Sequence, residues 1–361
     1  MTAKGFPILY IGSNRIGDAV LASGLLKRLH DEIPNARFTI VASSLTAPLY
    51  RDTPNLDQIV LMDKSKGRGH WFKLWTQVRG RRWGLVLDRR GSSISSFLSA
   101  KKRAVHRRSG GGTEHKVVEA ARILKLADDP PPPHLFTTPE TETRADALLG
   151  GGGPFLAMGP AANWIGKTWP VERFALTAVQ LMEKGAPFEH GRLLILGGPD
   201  DWRTAEPLRR SLPRERWVDL TGQGDLLTIY AALKRARLYI GNDSGLMHLA
   251  AAAGVPTVGL FGPSDERLYG PWGEATRVVR GSRSFGQIQT VDPTLSQPVC
   301  HMLDLPVTSV VEAAKALYAQ TELGAAAQEA APTALEADSE PPKETPAKSK
   351  PRARKPAAKS A

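Results

Sequence analysis

The stretch Tyr239-Ile240-Gly241-Asn242-Asp243-Ser244-Gly245-Leu246-Met247-His248-Leu249-Ala250 decides the fold. It reads as the end of a strand, a tight polar turn and the start of a helix. Asp243, Ser244 and Gly245 fall where a helix leaves its first N–H groups unpaired. Such an end carries about half a positive charge and suits a diphosphate. Gly245 has no Cβ to hold a ligand off the backbone. His248 follows Ser244 one helical turn later. It is either a donor to a phosphate oxygen or a satisfied helix histidine. A second turn of this kind, Tyr10-Ile11-Gly12-Ser13-Asn14-Arg15-Ile16-Gly17-Asp18, opens the chain. Two anion-suited turns in two α/β halves predict a cleft enzyme with a nucleotide-linked substrate.

The rest of the chain alternates in the same way. Strands are expected at 7–11, 37–42, 59–62 and 85–88, with helices at 18–32, 71–81 and 114–126. Trp71, Trp75 and Trp83 read mostly as core or interface anchors. The run Asp128-Asp129-Pro130-Pro131-Pro132-Pro133 cannot be helix or sheet interior and starts an interdomain connection. A helix near 140–149 and the Gly150–Gly153 run complete it. The alternation then restarts, with strands at 155–158, 193–196, 217–220, 238–240 and 257–261. Helices are expected at 171–184, 225–235, 245–253 and 308–320. The expected domains are therefore 1–127, a connection 128–153, and 154–323, with the last helix packing back on the first domain. Alternation of this type argues for parallel sheets covered on both faces. From Gly324 to Ala361 the chain is Ala, Pro, Lys and Glu with almost no large apolar residue, and is expected to be a disordered basic tail.

Composition bounds the class. The 361 residues are 41% apolar, enough for two cores. No run approaches the roughly 20 apolar residues that span a bilayer, and Phe6–Ile11 is too short for a signal peptide's apolar region. The lone Cys300 forbids an intrachain disulfide, and no Cys or His cluster has zinc-site spacing. These features predict a cytoplasmic protein. The net charge is +12, yet residues 64–108 alone hold fourteen Lys or Arg against one acid, Asp88. That imbalance points to an anionic partner: nucleic acid, phosphorylated lipid or a membrane surface. No helix-turn-helix, RNA-recognition or zinc-finger pattern accompanies it, so nucleic acid is not expected. The first turn also lacks the G-x-G-x-x-G of nicotinamide enzymes.

Several stretches in order resemble one family. They are Arg15-Ile16-Gly17-Asp18 with Leu21 and Leu25; Trp164-Ile165-Gly166-Lys167-Thr168-Trp169-Pro170; Leu196-Gly197-Gly198-Pro199; Leu220-Thr221-Gly222 before Asp225-Leu226; Asn242-Asp243-Ser244-Gly245 with His248; and Phe261-Gly262-Pro263-Ser264. Over residues 6–320 the chain resembles glycosyltransferase family 9, which includes the ADP-heptose:lipopolysaccharide heptosyltransferases. The resemblance implies a GT-B type α/β fold, two facing Rossmann-like parallel-sheet domains with a cleft between them. It places the donor nucleotide sugar on the C-terminal domain and the acceptor on the N-terminal domain. It implies an inverting transfer with no metal or other cofactor. The implied reaction moves a heptose from ADP-heptose to an anionic, phosphorylated lipopolysaccharide core acceptor at the inner membrane face. A UDP-sugar donor remains a neighbouring alternative, and a nucleic-acid-binding role for 64–108 an alternative of another class.

Roles follow residue by residue. Inverting transfer needs one carboxylate to take the acceptor's proton. The resemblance assigns that to Asp18, which could otherwise merely cap its helix. Lys167 would neutralise the departing diphosphate; otherwise it is an exposed loop lysine. On the donor side the expectation is Ser244, Gly245 and His248 at the diphosphate, Asp243 at the sugar hydroxyls and Asp201 at the ribose. Thr221, Gly222 and Gly224 would lie near the base, and Asn163 also on the donor side. On the acceptor side it is Arg15, Arg89 and Arg90. The better-known members carry a less basic pair after Asp88, which leaves the acceptor's identity open.

Overall fold

The computed structural model describes residues 5–63, 69–107 and 112–330. Lys64, Lys66, Arg68 and Arg108 of the basic stretch, and the tail from residue 331, lie outside the described residues. The first half forms five strands: β1 (Phe6–Ile11), β2 (Ala36–Ala42), β3 (Leu56–Leu61), β4 (Trp83–Asp88) and β5 (Ala100–Val105). All pair in parallel, in the order β3-β2-β1-β4-β5. The second half forms six: β6 (Phe155–Gly159), β7 (Arg192–Ile195), β8 (Trp217–Asp219), β9 (Ala236–Asn242), β10 (Thr257–Phe261) and β11 (Thr276–Arg280). These are also parallel, in the order β11-β10-β9-β6-β7-β8. The two expected Rossmann-like sheets are therefore present.

The strand orders fix where ligands bind. In each sheet the order reverses beside its first strand, between β1 and β4 and between β6 and β9. Turns that leave a parallel sheet at such a point diverge to opposite faces and open a crevice. The turns after β1, β6 and β9 are the ones that the motifs occupy.

Helices cover both sheets. The first half and the connection carry α1 (Ile16–Leu21), α2 (Gly24–Glu32), α3 (Gly69–Val78), α4 (Lys116–Arg122) and α5 (Pro139–Leu149). The second carries α6 (Val171–Met182), α7 (Glu206–Ser211), α8 (Leu226–Leu233), α9 (Gly245–Ala252), α10 (Glu266–Tyr269), α11 (Phe285–Val291) and α12 (Val307–Ala330). One buried cluster joins both halves, from Tyr10, Leu25 and Leu87 to Leu194, Tyr230, Met247 and Phe261. Two further clusters lie on the remaining faces.

The structure corrects several expectations. The single helix 18–32 is two helices broken at Ala22–Ser23, where Ser23 Oγ donates to Val20 O at 2.6 Å. The proline run causes the break's setting: Pro131 and Pro132 carbonyls pass so close to Gly24 that a Cβ there would lie 2.4–2.5 Å from them. Strand β5 was hidden because Ala-Lys-Lys-Arg-Ala-Val reads as a charge run. It is an edge strand, and exposed Lys101, Lys102 and Arg103 discourage pairing with another edge. Strand β11 and helices α7 and α11 were also unexpected. The last helix does not pack back on the first domain. Val310, Val311, Ala314 and Leu317 of α12 are buried with Leu156, Met158 and Phe174 of the second half. That helix runs to Ala330, past the expected start of the tail at Gly324.

Candidate active site

A cleft of about 550 Å³ lies between the turns. The first half lines it with Arg15, Ile16, Gly17, Asp18 and Leu45. The second half adds Asn163, Lys167, Asp200, Asp201, Asp243, Ser244, Gly245, His248 and Tyr269, among others. Nine of the fourteen expected site residues thus share one space.

The β9–α9 turn lines the cleft with Asp243, Ser244 and Gly245. Ser244 is the N-cap of α9 in extended conformation, yet its hydroxyl makes no cap hydrogen bond. The buried Tyr239 phenol lies beside it, and apart from each other the two hydroxyls have no hydrogen-bond partner among the described residues. A buried hydroxyl left unpaired at a helix N-terminus is costly in an empty protein and useful toward a ligand oxygen. Asp243 is buried and takes Lys167 Nζ at 2.6 Å on one oxygen. Its other oxygen lies 3.9 Å from His248 Nε2. Burial pushes the His248 imidazole down from 6.5 to about 4. The Asp243 carboxylate opposes that shift, and His115 and Lys167 add to it. His248 is therefore neutral near pH 7, and its Nδ1 has no hydrogen-bond partner among the described residues. It can offer one N–H but no positive charge.

Lys167 is not a loose loop residue. It ends a short 3-10 turn, Ile165–Lys167, whose base is clamped by Asn242. The Asn242 side chain donates to Pro160 O at 2.6 Å and accepts from Trp169 N at 3.1 Å. A buried pair, His301 and Asp292 at 3.2 Å, backs the same turn, with His301 N donating to Gly166 O at 3.2 Å. The sequence reading assigned no role to Asn242, His301 or Asp292. Only the i+1 neighbourhood of Asn242 to Asp243 hinted at its place.

On the facing wall, α1 starts at Ile16 with Arg15 as N-cap and no side-chain cap. Asp18 therefore does not cap its helix. It is half-buried in the first turn, and its carboxylate accepts no hydrogen bond among the described residues. The two helix starts touch. A Cβ on Gly245 would lie 2.8 Å from Ile16 Cγ2, and one on Gly17 would lie 3.0 Å from His248 Cδ2. The close approach that Gly245 permits in this structure is thus that of the opposite half.

Five expected residues lie outside the lining. Arg89 and Arg90 follow β4 but turn behind the β1–α1 turn, where Arg90 Nε donates to Gly12 O at 2.6 Å. Burial lowers the Arg90 guanidinium, and Asp88 opposes this. Arg89 Nε and Nη1 and Arg90 Nη2 are buried without hydrogen-bond partners among the described residues, near the buried phenols of Tyr10 and Tyr50. Thr221, Gly222 and Gly224 sit behind the Gly197–Asp201 turn. Gly222 N donates to Gly197 O at 3.0 Å, and a Cβ at its φ of +70° would come 3.0 Å from Pro199 Cα. Asp201 spends Oδ2 on Gly198 N at 2.7 Å to close that turn. Its neighbour Asp200, which the resemblance places with it at the ribose hydroxyls, presents an exposed carboxylate to the cleft. Among the described residues no group of three His, Cys, Asp or Glu is placed to hold a metal ion.

Comparison with known proteins agrees with this geometry. The profile described as Glycosyltransferase family 9 (heptosyltransferase) matches residues 113–294. Lipooligosaccharide heptosyltransferase 2 of Haemophilus influenzae is 24% identical over 310 residues, 76% of this chain and 88% of that protein. Lipopolysaccharide heptosyltransferase 2 of Escherichia coli is 28% identical over 172 residues, 47% of this chain and 46% of that protein. The solved E. coli ADP-heptose lps heptosyltransferase II superposes with a TM-score of 0.69 at 22% identity, covering 88% of this chain and 99% of that one. A glycosyl transferase family 9 structure from Veillonella parvula gives 0.71 at 21% identity, covering 89% and 99%.

Proposed function

The chain belongs to glycosyltransferase family 9, the heptosyltransferases, and from that premise we propose that it moves a heptose from ADP-heptose to a phosphorylated lipopolysaccharide core acceptor. The acceptor hydroxyl gives its proton to Asp18 as its oxygen bonds the anomeric carbon. The bond to the diphosphate breaks on the opposite face, so configuration inverts. The electron pair leaves on the diphosphate oxygen, which Lys167 neutralises while Ser244 and the first N–H groups of α9 hold the phosphates. Asp200 and Asp201 meet the ribose or sugar hydroxyls, with Asn163 beside them, and Arg15 faces the acceptor. Arg89 and Arg90 act from behind, by holding the turn that carries Arg15 and Asp18. The reaction needs no metal, and the enzyme works in the cytoplasm, peripheral at the inner membrane surface.

One observation carries this reading. Asp18, whose carboxylate has no ion pair among the described residues, shares a cleft with a lysine that Asp243 orients at 2.6 Å and with a helix start whose Ser244 hydroxyl makes no cap hydrogen bond. That set provides a base, a leaving-group cation and an anion cradle together. The test is a thermal-shift panel with ADP, UDP, GDP and NAD. A ligand that binds only the native state raises stability by RT ln(1 + [L]/Kd). An ADP-selective shift is expected. A UDP-selective shift would transfer the reading to a UDP-sugar, and an NAD-selective shift would end it. Turnover of ADP-heptose should be unchanged by EDTA.

A further inference from the structure

Helix α3 carries an outer face that the cleft does not use. Its inner side chains Leu74 and Val78 are buried against the first sheet. Phe72 on the outer side is 68% exposed, with its ring 5.9 Å from that of Trp75. Trp75 Nε1 donates to Phe97 O at 3.5 Å, and Phe97 is 73% exposed. The turn that holds Phe97 out is fixed by Arg103, which donates to Ser95 O at 3.0 Å and also to Leu98 O. Leu61, 58% exposed, ends the edge strand β3 beside Lys73 of α3. Single exposed apolar residues need no explanation. Here two phenylalanines and a tryptophan adjoin, and folded backbone presents them to solvent.

The charges around this face are mostly basic. Arg79 stacks over Trp75 at 4.6 Å, and Lys73, Arg82, Lys101 and Lys102 are exposed nearby in sequence. Of the acids in this region Asp63 is exposed and accepts from Ser44, while the other two are taken up within the fold. Asp88 is buried under Ser92, and Asp57 is taken by Arg37 and Arg81. The face also continues toward the cleft. Strands β2 and β3 are parallel to β1, so they end at the edge where the β1–α1 turn stands. Exposed Leu45 rims the cleft after β2, and its neighbour Ser44 donates to Asp63, just past β3, at 2.9 Å.

We infer that this aromatic and basic face docks on an anionic lipid bilayer. Phe72 and Phe97 enter the interfacial layer, and the Lys and Arg side chains meet the phosphate headgroups. Aromatic tips within a basic ring are the composition that interfacial binding requires, since each element alone anchors weakly. A second copy of the chain is disfavoured because two such faces repel. Nucleic acid would use the charges and leave the phenylalanine tips idle. The inference deepens the proposed transfer to a lipid acceptor, yet it can be tested without sugar or acceptor.

The experiment is co-sedimentation of the full chain with vesicles of phosphatidylcholine containing phosphatidylglycerol. Phe72→Ser with Phe97→Ser should lower partitioning about tenfold while thermal unfolding stays unchanged, because both rings are exposed. The basic tail carries no aromatic residue, so it cannot mimic that loss. Lys73→Gln with Arg79→Gln should lower binding about tenfold or more on these vesicles at low salt and little on phosphatidylcholine alone. Turnover with a detergent-dispersed acceptor should be unaffected in the Phe pair, which separates failure of docking from failure of the chemistry. Unchanged partitioning of the Phe pair overturns the inference. So does a wild-type dimer that the Phe pair dissociates, or duplex DNA binding tighter than vesicle binding.

Discussion

At the scale of single residues the site is a division of labour among carboxylates. Asp243 is spent on Lys167 and Asp201 on its own turn, while Asp18 has no hydrogen bond or ion pair among the described residues. Asp18→Asn should therefore lower turnover by at least roughly a hundredfold, the scale of lost general-base help. ADP affinity and the melting temperature should hardly move, because no cap or ion pair is removed. Turnover near wild type at saturating acceptor would place the base elsewhere. Lys167→Ala should cost more in turnover than in donor affinity, since the leaving group gains charge only as the bond breaks. His248 makes a separate pH prediction. Its folded value near 4 lies below its unfolded 6.5, so the unfolded chain binds the proton first as pH falls. The stability present above pH 6.5 is lost progressively down to about pH 4, by an amount on the order of 3 kcal/mol. His248→Gln should flatten the stability curve in that window. An unchanged slope in denaturant titrations across pH 4–6.5 would show that the histidine does not carry it.

Elements explain what the sequence revealed and what it hid. Strand–turn–helix punctuation was legible because β1 and β9 are mostly buried apolar runs followed at once by the polar turns Gly12-Ser13-Asn14 and Asp243-Ser244-Gly245. The polar turns then named Asp18, Lys167 and Ser244 correctly as neighbours of one cleft. Partners that come from distant chain were illegible. Asn242 clamping Trp169, and His301 reaching Gly166, depend on how two turns after neighbouring strands interleave. Arg89 and Arg90 were expected in the cleft because they follow β4. The Arg90 guanidinium instead donates from Nε to Gly12 O, which draws the side chain behind the first turn. Gly245 was read as ligand clearance, yet the atom it clears is Ile16 Cγ2 on α1. Gly245→Ala should therefore destabilise the protein by about 1–3 kcal/mol, the cost of overpacking a tight contact. Ile16→Ala in the same chain should recover part of that loss. If the double variant is no more stable than the sum of the singles predicts, α1 and α9 are not coupled through this contact.

The whole molecule has two sheets but one continuous buried cluster, which runs from Tyr10 and Leu25 to Tyr230, Met247 and Phe261. Polar contacts reinforce that continuity. Arg51, in the turn after β2, pairs with Asp225, which also caps α8 through Leu227 N at 3.1 Å and Thr228 N at 2.9 Å. Burial raises Asp225, but the Thr228 amide and Arg51 outweigh it and leave the carboxyl below its usual range. A group whose folded value is depressed contributes stability above its unfolded value, near 4, and loses it as pH falls further. Two-domain proteins commonly melt in two steps. Here an opened seam would expose core from both halves, so each half should be unstable without the other. The expected result is a single calorimetric transition for the chain at pH 7, shifted upward as one by ADP. Asp225→Asn should lower that transition without splitting it, because the cap persists in weaker form while the ion pair is lost. Two resolved transitions at pH 7, with only the hotter or only the cooler one moved by ADP, would show that the halves fold independently and that the shared cluster does not bind them.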